Sequence, residues 1–250
     1  MILLGVIYLK LIASKNVYQT NDMFFSLIKE YSNSLYGVAL EVVQTKDGIP
    51  IVITLYESND LNDQMIKSIQ TTNLRDVKDY NFMILDKALE KLNYLKDKVI
   101  IKFTPLPTTP YAQNIEAINK SNQEQVDNLF KVLDKHKNLD IYLATISHNI
   151  IYNIKKKLSK IKIGVILTPY ETNYIDVDFY MFSPQMLSYP ILTQQMQFNK
   201  EVIITSKNCE DMMLIYIFFS TFNIQEANIM INTAAFMSDY PLIIYKLLMR

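Results

Sequence analysis

The chain has 250 residues, of which 50% are apolar, and its 25 basic and 25 acidic residues give a formal net charge of zero. This length and apolar content suffice for one large core, whereas the zero net charge gives no support to capture of nucleic acid or an anionic membrane by overall charge. Cys209 is the single cysteine, which excludes an intramolecular disulfide and a cysteine-based zinc site.

Two apolar segments are too short to cross a bilayer. Residues 1–13 are interrupted by Lys10 and lack the basic start of a secretory signal. Residues 212–222 form an apolar run of 11 residues, which is typical of a buried helix. We therefore expect no membrane span and a cytoplasmic protein.

Strand and helix patterns alternate along the chain. The clearest strand signal lies in residues 37–53, where apolar side chains alternate along one strand, Asp47-Gly48 forms a turn dipeptide, and a β-branched run follows. Apolar runs predict strands, in chain order, at residues 3–13, 38–43, 51–53, 98–103, 140–145, 162–167, 178–182, 201–205 and 227–231. Apolar residues at helical spacing and capping residues predict helices after Thr20, within 61–69, at 86–96, 123–137 and 149–160, from Pro184, at 208–222 and from Ser238.

About eight alternations of strand and helix predict a parallel sheet covered by helices. In a chain of 250 residues this number favours a closed (β/α)₈ TIM barrel, formed as a single domain by residues 1–250. An open doubly wound sheet is the alternative. That fold normally has a glycine-rich first turn, and this chain has only 4 glycines.

The motif Thr45-Lys46-Asp47-Gly48-Ile49-Pro50 and the apolar run after it also resemble a known family. Glycerophosphodiester phosphodiesterases carry a strand written roughly E-L-D-V-x-x-T-K-D-G-x-P-V-V-x-H-D. The resemblance is weak per residue but spans nearly the whole chain. It implies a barrel of the PLC-like phosphodiesterase type and metal-assisted hydrolysis of glycerophosphodiesters.

Most of the catalytic residues implied by this resemblance are replaced in this chain. The family's three metal-binding carboxylates fall on Ala39, Glu41 and Ile100, and its two catalytic histidines fall on Ser14 and Thr54. One carboxylate is a poor Mg²⁺ or Ca²⁺ site, because these ions take several oxygen ligands. We therefore expect no cofactor, with Mg²⁺ or Ca²⁺ bound only if the chain is an active enzyme.

Four residues are candidate ligand-binding groups: Lys15, Glu41, Lys102 and His148. Glu41 and Lys102 lie on neighbouring predicted strands, so an ion pair between them is our first interpretation. The alternative is that Lys102 binds an anion together with Lys15, which occupies the position of a family arginine. His148 follows the strand at 140–145, at the end of the barrel where active sites lie, or is an ordinary residue at a helix start.

Other polar residues have plainer interpretations. His136 lies in the charged run 134–137 and is predicted to be a solvated surface residue, and Asp176 and Asp178 are predicted to be solvated acids rather than metal ligands. Cys209 is predicted to be an ordinary helix residue rather than a nucleophile. Three tyrosines are predicted either to stack a ligand at the barrel mouth or to fill the cavity: Tyr170, Tyr174 and Tyr180.

Two classes of function remain open. The first is a degenerate, non-catalytic glycerophosphodiester phosphodiesterase-like protein that binds a phosphate-bearing small molecule or a protein partner, including a second copy through residues 212–222 or the C-terminal helix. The second is a divergent active phosphodiesterase, which the resemblance implies would release glycerol 3-phosphate and an alcohol. Hydrolysis in the presence of a divalent metal separates the two.

Overall fold

The computed structural model describes nine parts of the chain, namely residues 10–15, 19–55, 59–77, 82–105, 115–157, 160–167, 175–183, 200–206 and 234–238. Eight parallel strands form the barrel: β1 Lys10–Ser14, β2 Gly37–Gln44, β5 Lys98–Thr104, β6 Asp140–Thr145, β7 Lys162–Ile166, β8 Phe179–Phe182, β9 Glu201–Ser206 and β10 Ala234–Ser238. Two short strands, β3 Pro50–Ile53 and β4 Met83–Ile84, add to it antiparallel.

The parallel strands close into a ring in the order β1-β10-β9-β8-β7-β6-β5-β2, and β2 pairs back with β1. The predicted (β/α)₈ barrel is therefore confirmed, and the open doubly wound sheet is excluded. Adjacent strands in such a ring leave no exposed edge.

The described helices are α1 Asn21–Tyr31, α2 Asn59–Gln70, α3 Leu85–Lys91, α4 Ile115–Leu133 and α5 His148–Lys155, with two short 3₁₀ helices at Ser32–Ser34 and Leu74–Asp76. Hydroxyl groups cap two of the helices: the Thr20 side chain accepts from the Met23 N–H, and Ser147 accepts from Ile150. Within the described ranges, every helix is too short or too polar to span a bilayer.

The strands divide the core into two layers because alternate side chains point to opposite faces. Val38, Leu40 and Val42 belong to the outer layer, which packs against the helices. A second cluster fills the inside of the barrel: Ile12, Ala39, Ile100, Tyr142, Ala144, Phe179, Met181, Ile203, Ala235 and Met237. The barrel interior is thus a packed apolar core at the level of Ala39 and Ile100.

A polar network closes the amino end of the barrel. Lys98 and Glu201, the first residues of β5 and β9, form an ion pair with Nζ–O distances of 2.7 and 2.9 Å. The Tyr36 hydroxyl donates to the Glu201 carboxylate at 2.8 Å and also contacts Lys98. Burial alone would lower the pKa of Lys98, but hydrogen bonds to Glu201, Tyr142 and Tyr36 raise it above its ordinary value.

The hairpin between β2 and β3 forms as the Thr45–Pro50 motif predicts. Gly48 adopts a φ of 77°, the left-handed region that glycine enters at low cost. The Asp47 carboxylate fixes the turn, because it accepts from the Thr45 hydroxyl at 2.6 Å and from the Leu74 N–H at 3.0 Å. Asp47 is therefore a turn residue.

The last described strand of the barrel was not predicted. The strand that pairs with both β9 and β1 is Ala234–Ser238, whereas the predicted strand at 227–231 lies outside the described residues. Ser238 ends β10, and the helix predicted to follow it lies outside the described residues. The register explains the position, because Ala235 lies opposite Ile203 on one side and Lys10 on the other.

Three helices end earlier than predicted, at Lys91, Leu133 and Lys155. Each is followed by a tightened turn in which an N–H bonds to the carbonyl three residues back; the donors are Leu92, His136 and Lys157. Helix α4 also begins earlier than predicted, at Ile115. For the first strand, Lys10–Ser14 is observed, and the predicted residues 3–9 lie outside the described ranges.

Candidate functional site at the carboxyl end of the barrel

Strands β1 and β3 meet on one edge of β2. Strand β5 occupies the other edge of β2 from Gly37 to Val43. On the shared edge, β1 runs parallel to β2 and ends with Ser14 opposite Ala39. Strand β3 runs antiparallel to β2 and ends with Ile53 opposite Glu41. Leu40 lies between Ala39 and Glu41 on β2. The residues that follow the two strands, Lys15 and Thr54, therefore approach the position opposite Leu40 from its two sides. We call this pair of residues the junction niche.

Lys15 is the cation of the junction niche. The residue is only 8% exposed, and its Nζ is buried without a hydrogen-bond or ion-pair partner in the part of the chain that the structure describes. Burial disfavours the charged ammonium and lowers the pKa of Lys15 to about 8. The amine is consequently poised between its two protonation states near neutral pH.

Thr54 is the second residue of the junction niche. It is also 8% exposed, and its Oγ1 is buried with no hydrogen-bond partner among the described residues. Buried polar atoms are almost always hydrogen-bonded in proteins. Lys15 and Thr54 each leave a buried polar atom unsatisfied at this strand junction, so the junction niche is the candidate site for a polar ligand.

Glu41 and Lys102 form the predicted ion pair, which is thereby confirmed. The two residues lie opposite each other on β2 and β5, and the Lys102 Nζ contacts the Glu41 carboxylate. The side chains are only 6% and 13% exposed for lysine and glutamate, so each charge depends on its partner. Glu41 is thus already engaged by a cation within the protein.

The residues at the three implied metal positions do not fit a divalent cation. Ala39 and Ile100 have no ligating side-chain atom and are packed inside the barrel, and the Glu41 carboxylate faces Lys102. Among the described residues, no group of three or more His, Cys, Asp or Glu side chains is placed to hold a metal. Ser14, at one catalytic histidine position, is buried at the end of β1.

His148 opens α5, at the carboxyl end of β6, and is exposed. Its role in ligand binding stays a prediction. Asp176 is exposed and lies near Lys200, at 3.3 Å, whereas Asp178 accepts a hydrogen bond from the Ile163 N–H at 2.7 Å. Tyr180 is buried in the outer layer and donates to the Ile175 carbonyl, so it does not line the mouth. Other predicted features lie outside the described residues: Tyr170, Tyr174, Cys209 and the run 212–222.

The prediction that His136 is solvated is wrong. The residue is only 5% exposed, and its Nε2 lies 2.8 Å from the Asp86 carboxylate at the start of α3. Because α4 ends at Leu133, the following turn directs the imidazole inward. Hydrogen bonds from Lys135 and His136 hold the pKa of Asp86 below its usual range.

Sequence reasoning also missed the network at the amino end of the barrel. Its charged members, Lys98, Lys162 and Glu201, are each the first residue of an otherwise apolar strand. A charged residue at the start of three apolar strands was therefore the sequence signal that could have revealed this network. A cleft of about 610 Å³ lies nearby, between α4 and α5, on the side of the barrel away from the junction niche.

Solved structures of similar fold cover nearly the whole chain. A phosphodiesterase from Oleispira antarctica, in complex with the product sn-glycerol-3-phosphate, has 14% sequence identity and a TM-score of 0.68, over 96% of this chain and 97% of that one. A glycerophosphodiester phosphodiesterase from Parabacteroides distasonis has 16% identity and a TM-score of 0.67, over 97% of each chain. One from Agrobacterium tumefaciens has 11% identity and a TM-score of 0.59, over 93% and 97%.

No protein-family model and no curated protein sequence matches the chain. The barrel fold implied by the resemblance at the Thr45–Pro50 motif is confirmed by these solved structures.

Proposed function

We propose that this chain, which has the fold of the glycerophosphodiester phosphodiesterases, is a non-catalytic relative of them that binds a phosphate-bearing small molecule at the carboxyl end of its barrel. The observation that carries the proposal is the junction niche, where the buried Lys15 ammonium and the Thr54 hydroxyl lack partners among the described residues. An anion with several acceptor oxygens supplies both missing interactions.

A phosphate group suits this niche for electrostatic reasons. With a pKa of about 8, most Lys15 side chains are protonated at neutral pH, and a bound dianion would raise that fraction further. Hydrogen bonds between an ammonium and a phosphate are charge-assisted and therefore strong. The Oleispira antarctica structure contains sn-glycerol-3-phosphate, which supports this ligand class.

Ser14 and Thr54 replace the two histidines that the family resemblance implies. Neither Ser14 nor Thr54 titrates near neutral pH, so neither replaces a histidine as general acid or base, a contribution of about 10²–10⁴ in rate. Ala39 and Ile100 provide no ligand for a metal that would stabilise charge on the phosphoryl oxygens.

A divergent active phosphodiesterase is the second candidate. The observation that favours it is Glu41, which keeps a carboxylate at an implied metal position, opposite Lys102 of β5. Activity through Glu41 would require a metal to displace Lys102 from it.

Binding is tested by calorimetric titration of the protein with sn-glycerol 3-phosphate and with inorganic phosphate. We expect binding by the wild type, at least tenfold weaker binding by Lys15→Met, and unchanged binding by Lys67→Met, a matched change at an exposed lysine of α2. Equal affinity in all three proteins would refute the role of Lys15.

Catalysis is tested with glycerophosphocholine and bis(p-nitrophenyl) phosphate in the presence of Mg²⁺, Ca²⁺ or Mn²⁺. We expect no turnover above that of a Glu41→Gln variant. Metal-dependent turnover that disappears in this variant would establish the enzyme instead of the binding protein.

A further inference from the structure

We propose that the cleft between α4 and α5 binds a small zwitterion with an apolar body, of the chemical class of the apolar α-amino acids. The volume of this α4–α5 cleft is about 610 Å³, within the range of about 300–1,000 Å³ that is typical of small-molecule sites. The cleft lies on the side of the barrel away from the junction niche, so the proposal does not depend on phosphate binding.

Part of the α4–α5 cleft is an apolar wall. Five side chains form this wall: Phe130, Leu133, Leu139, Ile141 and Ile161. All five belong to the main hydrophobic core or pack against it, so their positions are fixed by the fold. Removal of apolar surface from water favours binding of a molecule with an aromatic or aliphatic body here, and the Phe130 ring is a surface on which such a body can pack.

His136 is a fixed polar part of the same lining. The residue is only 5% exposed, and its Nε2 lies 2.8 Å from the Asp86 carboxylate at the start of α3. This contact sets the orientation of the imidazole before any ligand arrives. A lining that is already ordered in the free protein lowers the entropic cost of binding.

The rim of the α4–α5 cleft carries unpaired charges of both signs. Four exposed residues contribute them: Asp134, Lys137, Asp140 and Lys160. None of the four forms an ion pair within the described parts of the chain, although Asp140 interacts electrostatically with Lys162 of β7. The remaining charged residue of the lining, Lys157, is already engaged by Asp127.

The charge pattern selects the ligand class. Two lysines and two aspartates at one opening complement a molecule that carries an ammonium and a carboxylate together. A ligand with a single charge would meet repulsion from one of the two signs without a compensating attraction. In an apolar α-amino acid both charges lie at one end and the apolar body at the other, which matches a charged rim beside an apolar wall.

The test is calorimetric titration of the full-length protein at neutral pH with three probes that share one phenyl group. Phenylalanine carries both charges, 3-phenylpropionate lacks the ammonium, and 2-phenylethylamine lacks the carboxylate. We expect phenylalanine to bind about fivefold more tightly than either analogue. An analogue that binds as tightly as phenylalanine would overturn the proposal, and so would the absence of phenylalanine binding.

Variants of the rim locate the site. Lys137→Gln/Lys160→Gln and Asp134→Asn/Asp140→Asn should each weaken phenylalanine binding about fivefold. The first variant should not weaken binding of 2-phenylethylamine, and the second should not weaken binding of 3-phenylpropionate. The control variants Lys67→Gln and Asp63→Asn change exposed charges on α2 and should bind phenylalanine like the wild type. Wild-type affinity in both rim variants would contradict the proposal.

The two proposals fail separately. Lys15→Met should bind phenylalanine as the wild type does, because the α4–α5 cleft and the junction niche are different places. Loss of phenylalanine binding in Lys15→Met would overturn the zwitterion site in the cleft. Retained phenylalanine binding in a protein that binds no sn-glycerol 3-phosphate would support the cleft site and refute only the proposed function.

Discussion

Lys15, Lys98 and Lys102 are all largely buried, and their surroundings differ in a way that decides their chemistry. Lys98 and Lys102 each meet a glutamate from another strand. Lys15 meets no acid in the described part of the chain. A paired lysine contributes structure, whereas an unpaired one retains the capacity to bind an anion or to react.

We expect the contributions of Glu41 and Lys102 to the free energy of unfolding to depend on each other. We expect Lys102→Met to destabilise the protein by about 3–5 kcal/mol, because it leaves the Glu41 carboxylate buried without its cation. The double variant Glu41→Leu/Lys102→Met should lose much less than the sum of the single changes. Urea unfolding of the four proteins measures this cycle, and strictly additive losses would show that the pair is not coupled.

Lys15 should make stability depend on pH. Its pKa is about 8 in the folded protein and roughly 10.4 in an unfolded chain. Between these pH values the unfolded chain binds the proton more readily, so stability falls as the pH drops from above about 10 to about 8 and is level below that.

Lys15→Met removes this dependence. We expect the variant to be more stable than the wild type at neutral pH, by about 3 kcal/mol, and to lose this advantage above about pH 11. The comparison of urea unfolding at the two pH values provides the measurement. A difference between the two proteins that does not change with pH would mean that Lys15 titrates normally.

Among the elements, β7 and β8 show how closely the barrel interior is packed. A Cβ atom at Gly164 of β7 would lie 2.4 Å from two carbons of the Phe179 ring on β8. That ring also packs against Tyr142, with ring centroids 5.3 Å apart. The absent side chain of Gly164 therefore makes room for an aromatic ring inside the barrel.

Gly164→Ala should destabilise the protein by about 1–3 kcal/mol, because the ring must shift in a packed core. Gly164→Ala combined with Phe179→Leu should recover part of this loss, since the smaller side chain yields the space. Thermal or urea unfolding checks both variants. If the double variant recovers no stability, the loss in Gly164→Ala does not come from a clash with the Phe179 ring.

Elements with a local signal were predictable from the sequence, whereas contacts between distant residues were predicted only where the family resemblance paired the strands. Strand Asp140–Thr145 and the turn at Gly48 have the predicted bounds, because alternation and turn chemistry are local properties. The Glu41–Lys102 pair was predicted because the resemblance to a family placed the two residues on neighbouring strands. His136 and the Lys98–Glu201 pair were missed, because their partners lie 50 and 103 residues away in the chain.

At the scale of the whole molecule, the Lys98–Glu201 pair crosses the barrel. Strands β5 and β9 are four steps apart around the ring in either direction, so they lie on opposite sides. The ion pair and Tyr36 therefore join the two halves of the barrel at its amino end.

This geometry predicts a kinetic effect. Because the pair forms only when the ring is closed, Glu201→Gln should mainly speed unfolding and change the folding rate little. The expected equilibrium loss is about 2–3 kcal/mol, from a lysine left without its counter-charge. Stopped-flow unfolding and refolding in urea separate the two rates, and an effect confined to refolding would contradict late closure.

The cross-barrel pair also closes the amino end of the barrel. The ion pair blocks the amino end, and aromatic and aliphatic side chains fill the middle of the barrel. A ligand of the junction niche therefore binds and leaves at the carboxyl end. Substitutions at the carboxyl end can therefore change ligand specificity and the rate of ligand release, while the ion pair at the amino end maintains the barrel.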